Sequence, residues 1–134
     1  MAIGYSVKLP LRYSYDDGVY ALNKTLNATV QQNLKNLLLT NPGEKIMDLS
    51  FGVGLRNYIH EQLTPLTKDR IRNNILEQVK RYMPFLTVES LNILSKDETS
   101  NTGETYLNDE SLSIKIEYSF AGSSNRQVLN IPIR

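Results

Sequence analysis

This chain of 134 residues has no cysteine and only one histidine. Without thiols there are no disulfides, no thiolate metal sites and no cysteine nucleophile, and His60 alone cannot anchor a dedicated zinc site. Fifteen basic residues against fourteen acidic ones leave a formal charge of +1, so no general field draws the protein toward nucleic acid or an acidic membrane. Nowhere do eighteen apolar residues run together, and the N-terminus lacks the basic-then-apolar order of an export signal. A soluble, unexported protein made in the cytoplasm is the expectation, with no nucleic-acid partner, no membrane insertion and no cofactor. There are no internal repeats. The length fits one domain, 1–134, although a hydrophobic fraction of 40% is lean for a self-contained globule.

What is present divides the chain into three parts. Residues 1–21 read as an extended N-terminal arm with a turn at Asp16-Asp17-Gly18. Val7, Leu9 and Leu11 alternate there with Lys8 and Pro10, and four tyrosines lie between Tyr5 and Tyr20. Tyrosine-rich segments suit interfaces, and equally suit a strand packed on its own domain. Residues 22–84 read as helical. Leu22, Leu26, Val30, Leu34, Leu37 and Leu38 recur at helical spacing, with Lys24, Asn27, Gln31 and Lys35 opposite. A short stripe follows at Leu55, Tyr58, Ile59 and Leu63. A second long helix is expected from an N-cap at Thr67, with Ile71, Ile75, Leu76, Val79 and Tyr82 on its apolar side and Pro84 ending it. Its basic residues Arg70, Arg72, Lys80 and Arg81 read first as a solvated face.

Residues 85–134 change to a period of two. Strands are expected over 86–94, over 112–120 with its clean alternation, and over 127–133. The fold class is therefore α+β: two long helices and a short one, followed by a small, mainly antiparallel sheet. Pro132 makes the last strand an edge, with Val128, Asn130 and Pro132 turning their backbone to the open side. The segment 96–110, acidic through Asp97, Glu98, Glu104, Asp109 and Glu110, is expected to be a long mobile connection, and its spacing does not fit a calcium loop.

Between the helices lies the most constrained stretch. Leu37-Leu38-Leu39 ends a helix, Asn41-Pro42-Gly43-Glu44 has the makings of a type II turn, and Met47, Leu49 and Phe51 alternate with Asp48 and Ser50 as in a short half-buried strand. Gly52 and Gly54 bracket Val53. A phosphate loop would need a Lys-Ser/Thr pair that is missing, and a dinucleotide fingerprint needs a third glycine.

Leu-Leu-Leu-Thr-Asn-Pro-Gly-Glu-Lys at 37–45, followed by Phe-Gly-Val-Gly-Leu at 51–55, resembles the hallmark of the baseplate wedge and sheath-initiator proteins of contractile phage tails, a family also described as lysozyme-like. The resemblance runs from about Val7 to the C-terminus. It implies a structural subunit of the virion tail baseplate that joins the wedge core and templates sheath polymerisation by strand addition, with wedge proteins and the tail sheath protein as partners and no enzymatic activity. The residues it points to are Leu26, Val30, Leu34 and Leu38 on a helix that joins a core bundle, Pro42, Gly43, Glu44, Phe51, Gly52 and Gly54 at the corner, and Val128, Asn130 and Pro132 for sheath docking. One departure stands out: many members carry Glu-Pro-Arg where this chain has Met83-Pro84-Phe85, so the proline is kept and both charges are missing.

Two other readings compete. A glycosidase needs two carboxyl groups at a set separation, and Glu44, Asp48, Glu61 and Glu77 are acids near element ends, but no spacing singles out a pair. An unrelated small adaptor would share the same helix-and-sheet pattern.

Overall fold

A computed structural model describes residues 3–94, 112–123 and 125–133. The segment 96–110 lies outside the described residues, and the expectations for it with it. The elements run β1 (Ser6–Val7), β2 (Leu22–Asn23), α1 (Leu26–Leu39), a 3-10 helix (Leu55–His60), α2 (Pro65–Tyr82), β3 (Leu86–Leu94), β4 (Leu112–Phe120) and β5 (Gln127–Ile133). This overturns the expected fold class of two long helices and a short one followed by a small sheet. Among the described residues only two of the three helices are longer than one or two turns, and the five strands form two separate antiparallel sheets, one of which precedes the helices.

The chain divides into two compact units, Met1–Lys35 and Asn36–Arg134. In the first, β1 and β2 pair antiparallel, Ser6 opposite Asn23 and Val7 opposite Leu22. Main-chain bonds widen this ribbon: Tyr5 N donates to Asn23 O, Lys8 N to Ala21 O and Ala21 N to Arg12 O, each at 2.9 Å. Leu22 and Asn23 are thereby held extended, so the helix that periodicity extends back to Leu22 starts only at Leu26. Thr25 caps it, its hydroxyl accepting from Ala28 N at 3.3 Å. Two-residue strands are too short to produce a period, which is why the region reads as an arm in sequence.

One side chain ties this ribbon to α1. The Gln32 amide donates to Val7 O at 3.0 Å and accepts from Leu9 N at 2.9 Å and from Asn23 Nδ2 at 3.0 Å. Donating to one residue and accepting from the next but one is how a neighbouring strand would satisfy this edge, so Gln32 stands in for a third strand.

In the second unit, the N-cap of α2 lies three residues before the expected Thr67. Thr64 is the N-cap, its hydroxyl accepting from Thr67 N at 3.2 Å, and Pro65 fills the first helical position, where no amide partner is needed. Ile71, Ile75 and Val79 form its buried stripe. The second sheet has the order β3-β4-β5, all antiparallel. β4 is central, and Ile114, Ile116 and Tyr118 are fully buried on it. Burial also pushes the Tyr118 hydroxyl to a raised pKa. α2 packs against β3, and the 3-10 helix meets β5.

β3 carries a bulge between Val88 and Ser90. Glu89 is the extra residue, and it resets the parity so that Leu86 on one side of it and Leu91 and Ile93 on the other are all buried. Arg126 ties the bulge to the neighbouring strand, 2.5 Å from Glu89 and 3.3 Å from Glu117. These exposed pairs contribute at most about 1 kcal/mol.

Because Leu9 N has only an exposed side-chain acceptor, Gln32→Ala is expected to speed amide exchange at Leu9 and to cost about 1–2 kcal/mol, whereas exposed Gln31→Ala changes neither. Residue-resolved hydrogen exchange with a thermal melt checks this. Unchanged exchange at Leu9 would mean that Gln32 does not hold the ribbon.

Candidate functional site

A helix that ends inside a protein leaves carbonyls in need of donors. At the end of α1, Val53 N donates to Leu37 O at 3.1 Å and Gly54 N to Thr40 O at 2.9 Å, so the chain returns after fifteen residues to cap the helix it left. The excursion begins with a tight turn. Glu44 N donates to Asn41 O at 3.1 Å across Pro42-Gly43, and Gly43 at φ 92° gives the type II geometry that proline followed by glycine favours. The Glu44 carboxylate reaches back to Asn41, accepting from its main-chain N at 3.0 Å and its side-chain Nδ2 at 3.1 Å.

The return is possible only with glycine at two places. Gly52 has φ 109°, and a Cβ there would run into the main-chain carbonyl of Thr40. Gly54 sits in the left-handed region at φ 68°, where it caps the 3-10 helix, and a Cβ would come within 2.9 Å of Pro42 Cδ. Pro42, Gly43, Glu44, Phe51, Gly52 and Gly54 are thus brought together in one corner.

α2 holds the far side of this excursion. Gln78, buried on the helix, accepts from Gly52 N and donates to Ser50 O, both at 3.1 Å. Tyr82 donates to Asp48 Oδ2 at 2.7 Å, and Asp48 Oδ1 accepts from the Ser50 hydroxyl at 2.7 Å and from Ser50 N at 3.1 Å. The Phe51 and Tyr82 rings meet edge to face, 4.9 Å between centroids. The hydrogen bond from Tyr82, then those from Ser50, hold the Asp48 carboxyl below its ordinary value of 3.8.

This geometry corrects the expectation of a half-buried strand over Met47–Phe51. The segment is a pair of turns, and its alternation points the other way: Asp48 faces α2, while Met47 and Leu49 are 92% and 65% exposed. Hydrogen bonds to Tyr82 and Ser50 outweigh burial of two aliphatic side chains. Gln78 and Tyr82 were missed as site residues. The signal for Gln78 was available, since an amide within the stripe Ile71, Ile75, Val79 must find partners if it is buried.

The other expected site residues fall as follows. On α1, Val30, Leu34 and Leu38 are buried within the chain, and Leu26 is 41% exposed. On β5, Leu129, Ile131 and Ile133 are buried, while Val128, Asn130 and Pro132 are exposed on an edge strand paired with β4. Asn130 lies opposite Lys115 and accepts from the Ser113 hydroxyl at 3.0 Å. Met83 closes α2, buried, with its N bonded to Val79 O at 2.8 Å, and Phe85 is half-exposed. In the N-terminal unit Tyr5, Tyr13 and Tyr15 are exposed, Tyr13 stacks on Tyr20 at 5.6 Å, and Tyr13, Tyr15 and Val19 line a surface pocket of about 250 Å³.

Among the acids weighed for hydrolysis, Glu44 is held by Asn41 and Asp48 by Tyr82 and Ser50, and Glu61 and Glu77 are exposed. Among the described residues no cluster of three or more histidines or carboxylates could hold a metal, and His60 is exposed at the end of the 3-10 helix. No described helix is long and apolar enough to cross a membrane.

The model of the family described as baseplate wedge protein gp25 matches residues 24–125, a span that contains the whole corner, α2 and β4. The chain belongs to that family. It is 29% identical over 66 residues to the baseplate wedge protein gp25 of Enterobacteria phage T4, a match that spans half of each chain. Its fold is similar to that of a Geobacter sulfurreducens protein described as a tail lysozyme, with a TM-score of 0.64 at 21% identity over 84% of this chain and 94% of the other. It is also similar to a chain of the anti-feeding prophage baseplate, with a TM-score of 0.57 at 23% identity over 93% and 80%. Family membership places it among the wedge proteins of the phage tail baseplate.

Two predictions follow from the corner. Gly43→Ala meets open space and carries only the cost of its φ, about 1–2 kcal/mol, whereas Gly52→Ala also drives a Cβ into the end of α1 and is expected to cost more than about 3 kcal/mol. Denaturant melts of both variants check the order, and equal costs would remove the argument from close approach. For Asp48, a folded pKa below the unfolded one gives stability that is present above the unfolded value and is lost as pH falls through the folded one. The advantage of the parent over Asp48→Asn is therefore expected to be full near neutral pH and to shrink below 3.8. Melting temperatures taken across that window check the sign, and a gap that widened toward acid would reverse it.

Proposed function

We propose that the chain joins the wedge core and starts the contractile sheath by accepting a strand of the tail sheath protein along β5. The observation that carries this reading is the edge position of β5 together with Pro132. In an antiparallel pair, residues alternate between exchanging main-chain bonds with the partner and facing away from it. Pro132 stands opposite Ser113 and has no amide to give, so the pairs at Ile131, Leu129 and Ile133 are the bonded ones. Val128 and Asn130 then present their main-chain groups to the open side, where a partner's strand can pair with them. Val128 is half-exposed, which adds an apolar anchor to that edge.

The wedge-core contact draws on the N-terminal unit. Val30, Leu34 and Leu38 are buried within the chain, so of the expected bundle side only Leu26 is left to meet a partner, and the exposed tyrosines of the arm ahead of it add a second surface for that contact. This reading has no catalytic step. A general acid needs a raised pKa, and Asp48 is shifted the other way.

Two proline substitutions separate folding from assembly. Asn130→Pro is expected to leave the domain folded and to weaken sheath initiation, while Ile131→Pro removes a bond to Ile114 and destabilises the sheet by about 3 kcal/mol or more. Thermal melts and sheath polymerisation on reconstituted baseplates are the measurements. Normal sheath growth on Asn130→Pro would remove β5 as the docking edge.

A further inference from the structure

The loop between Glu44 and Phe51 is built inside out. Both of its carboxylates bond to the chain's own donors, Glu44 to Asn41 and Asp48 to Tyr82 and Ser50. Its aliphatic side chains point away: Ile46 is 90% exposed, Met47 92% and Leu49 65%. Beside them the Lys45 ammonium lies 4.4 Å over the Phe51 ring, and Arg81 on α2 lies 5.3 Å from the centre of the Tyr82 ring, the same ring that holds Asp48. The outward surface therefore carries three aliphatic groups and cations, while the balancing acids of the loop are engaged in holding its shape.

Such a loop is preorganised. Gly43 N donates to Leu49 O at 2.9 Å, Asp48 N to Lys45 O at 3.2 Å and Phe51 N to Asp48 O at 3.2 Å, and Gln78 fixes its return. Aliphatic side chains held proud on a loop already ordered lose little freedom when they enter a pocket, which is the condition under which a few residues dominate an interface. Methionine adapts its shape to such a pocket.

We propose that Ile46, Met47 and Leu49 form a plug that seats in an apolar cleft on another baseplate protein, with carboxylates at the rim of that cleft facing Lys45 and Arg81. The charge pattern selects this occupant over a second copy of the chain, because a second copy would set the cations of one loop against those of the other. The proposal rests on the reading of the chain as a baseplate subunit, and is independent of strand addition at β5.

The full chain, co-expressed with the other baseplate wedge proteins, is the material for the test. Ile46→Ser combined with Met47→Ser is expected to leave the melting temperature of the isolated chain unchanged, because both side chains are bare to solvent, and to weaken incorporation into the wedge by about tenfold or more. Lys45→Glu is expected to weaken it as well, and added salt to weaken the parent more than Lys45→Glu. A benzophenone amino acid in place of Met47 is expected to cross-link to one wedge protein, at an apolar segment with aspartate or glutamate close by. Cross-linking to a second copy, co-sedimentation of the parent with anionic lipid vesicles that the double variant loses, or full incorporation of both variants would each overturn the proposal. Sheath growth is scored on the same particles: loss of incorporation in the loop variants with loss of sheath alone in Asn130→Pro supports both sites, and either effect without the other sinks only the site that failed.

Discussion

The second unit depends on how α1 is allowed to end. Two carbonyls at its end, those of Leu37 and Thr40, are met by the amides of Val53 and Gly54, from a segment that has first turned away through Pro42-Gly43 and then come back. That closure fixes where the 3-10 helix starts, and it sets the loop 44–51 against α2. Each main-chain bond of this kind adds only about 1 kcal/mol net, but leaving a buried carbonyl without a donor would cost more than the bond is worth. The geometry is maintained because the alternatives are worse.

The corner is a set of backbone requirements rather than a set of reactive groups. Gly43 provides a turn, Glu44 secures it by holding Asn41, Gly52 admits the Thr40 carbonyl, Gly54 opens the next helix, and Phe51 packs against Tyr82. Met83, just ahead of Pro84, closes α2 by burial.

The parts of the fold legible in the sequence were those long enough to show a period. α2 and β4 declare themselves through Ile71, Ile75, Val79 and through Leu112, Ile114, Ile116, Tyr118, and Pro132 marks β5 as an edge. The ribbon of β1 and β2 has two residues per strand, so nothing repeats, and its bonds come from Gln32 and from main-chain groups far apart in sequence. The bulge at Glu89 hides the parity of β3 from any fixed period. At the candidate site the glycines and the proline were readable because their backbone needs are intrinsic. The direction of Asp48 was not, because it is set by Tyr82, 34 residues away.

The two glycines of the corner differ in what genetics can repair. A side chain at Gly54 would meet Pro42, Asn41 and Asn57 through their side chains, so a second substitution could make room, and asparagine could adopt its left-handed backbone. At Gly52 the obstacle is the carbonyl oxygen of Thr40, an atom that every amino acid carries. No exchange at position 40 removes it. Suppressors of a Gly54 mutant can therefore arise among its neighbours, whereas a Gly52 mutant has only reversion or a displacement of the end of α1, and the two positions follow different evolutionary rules although they stand two residues apart.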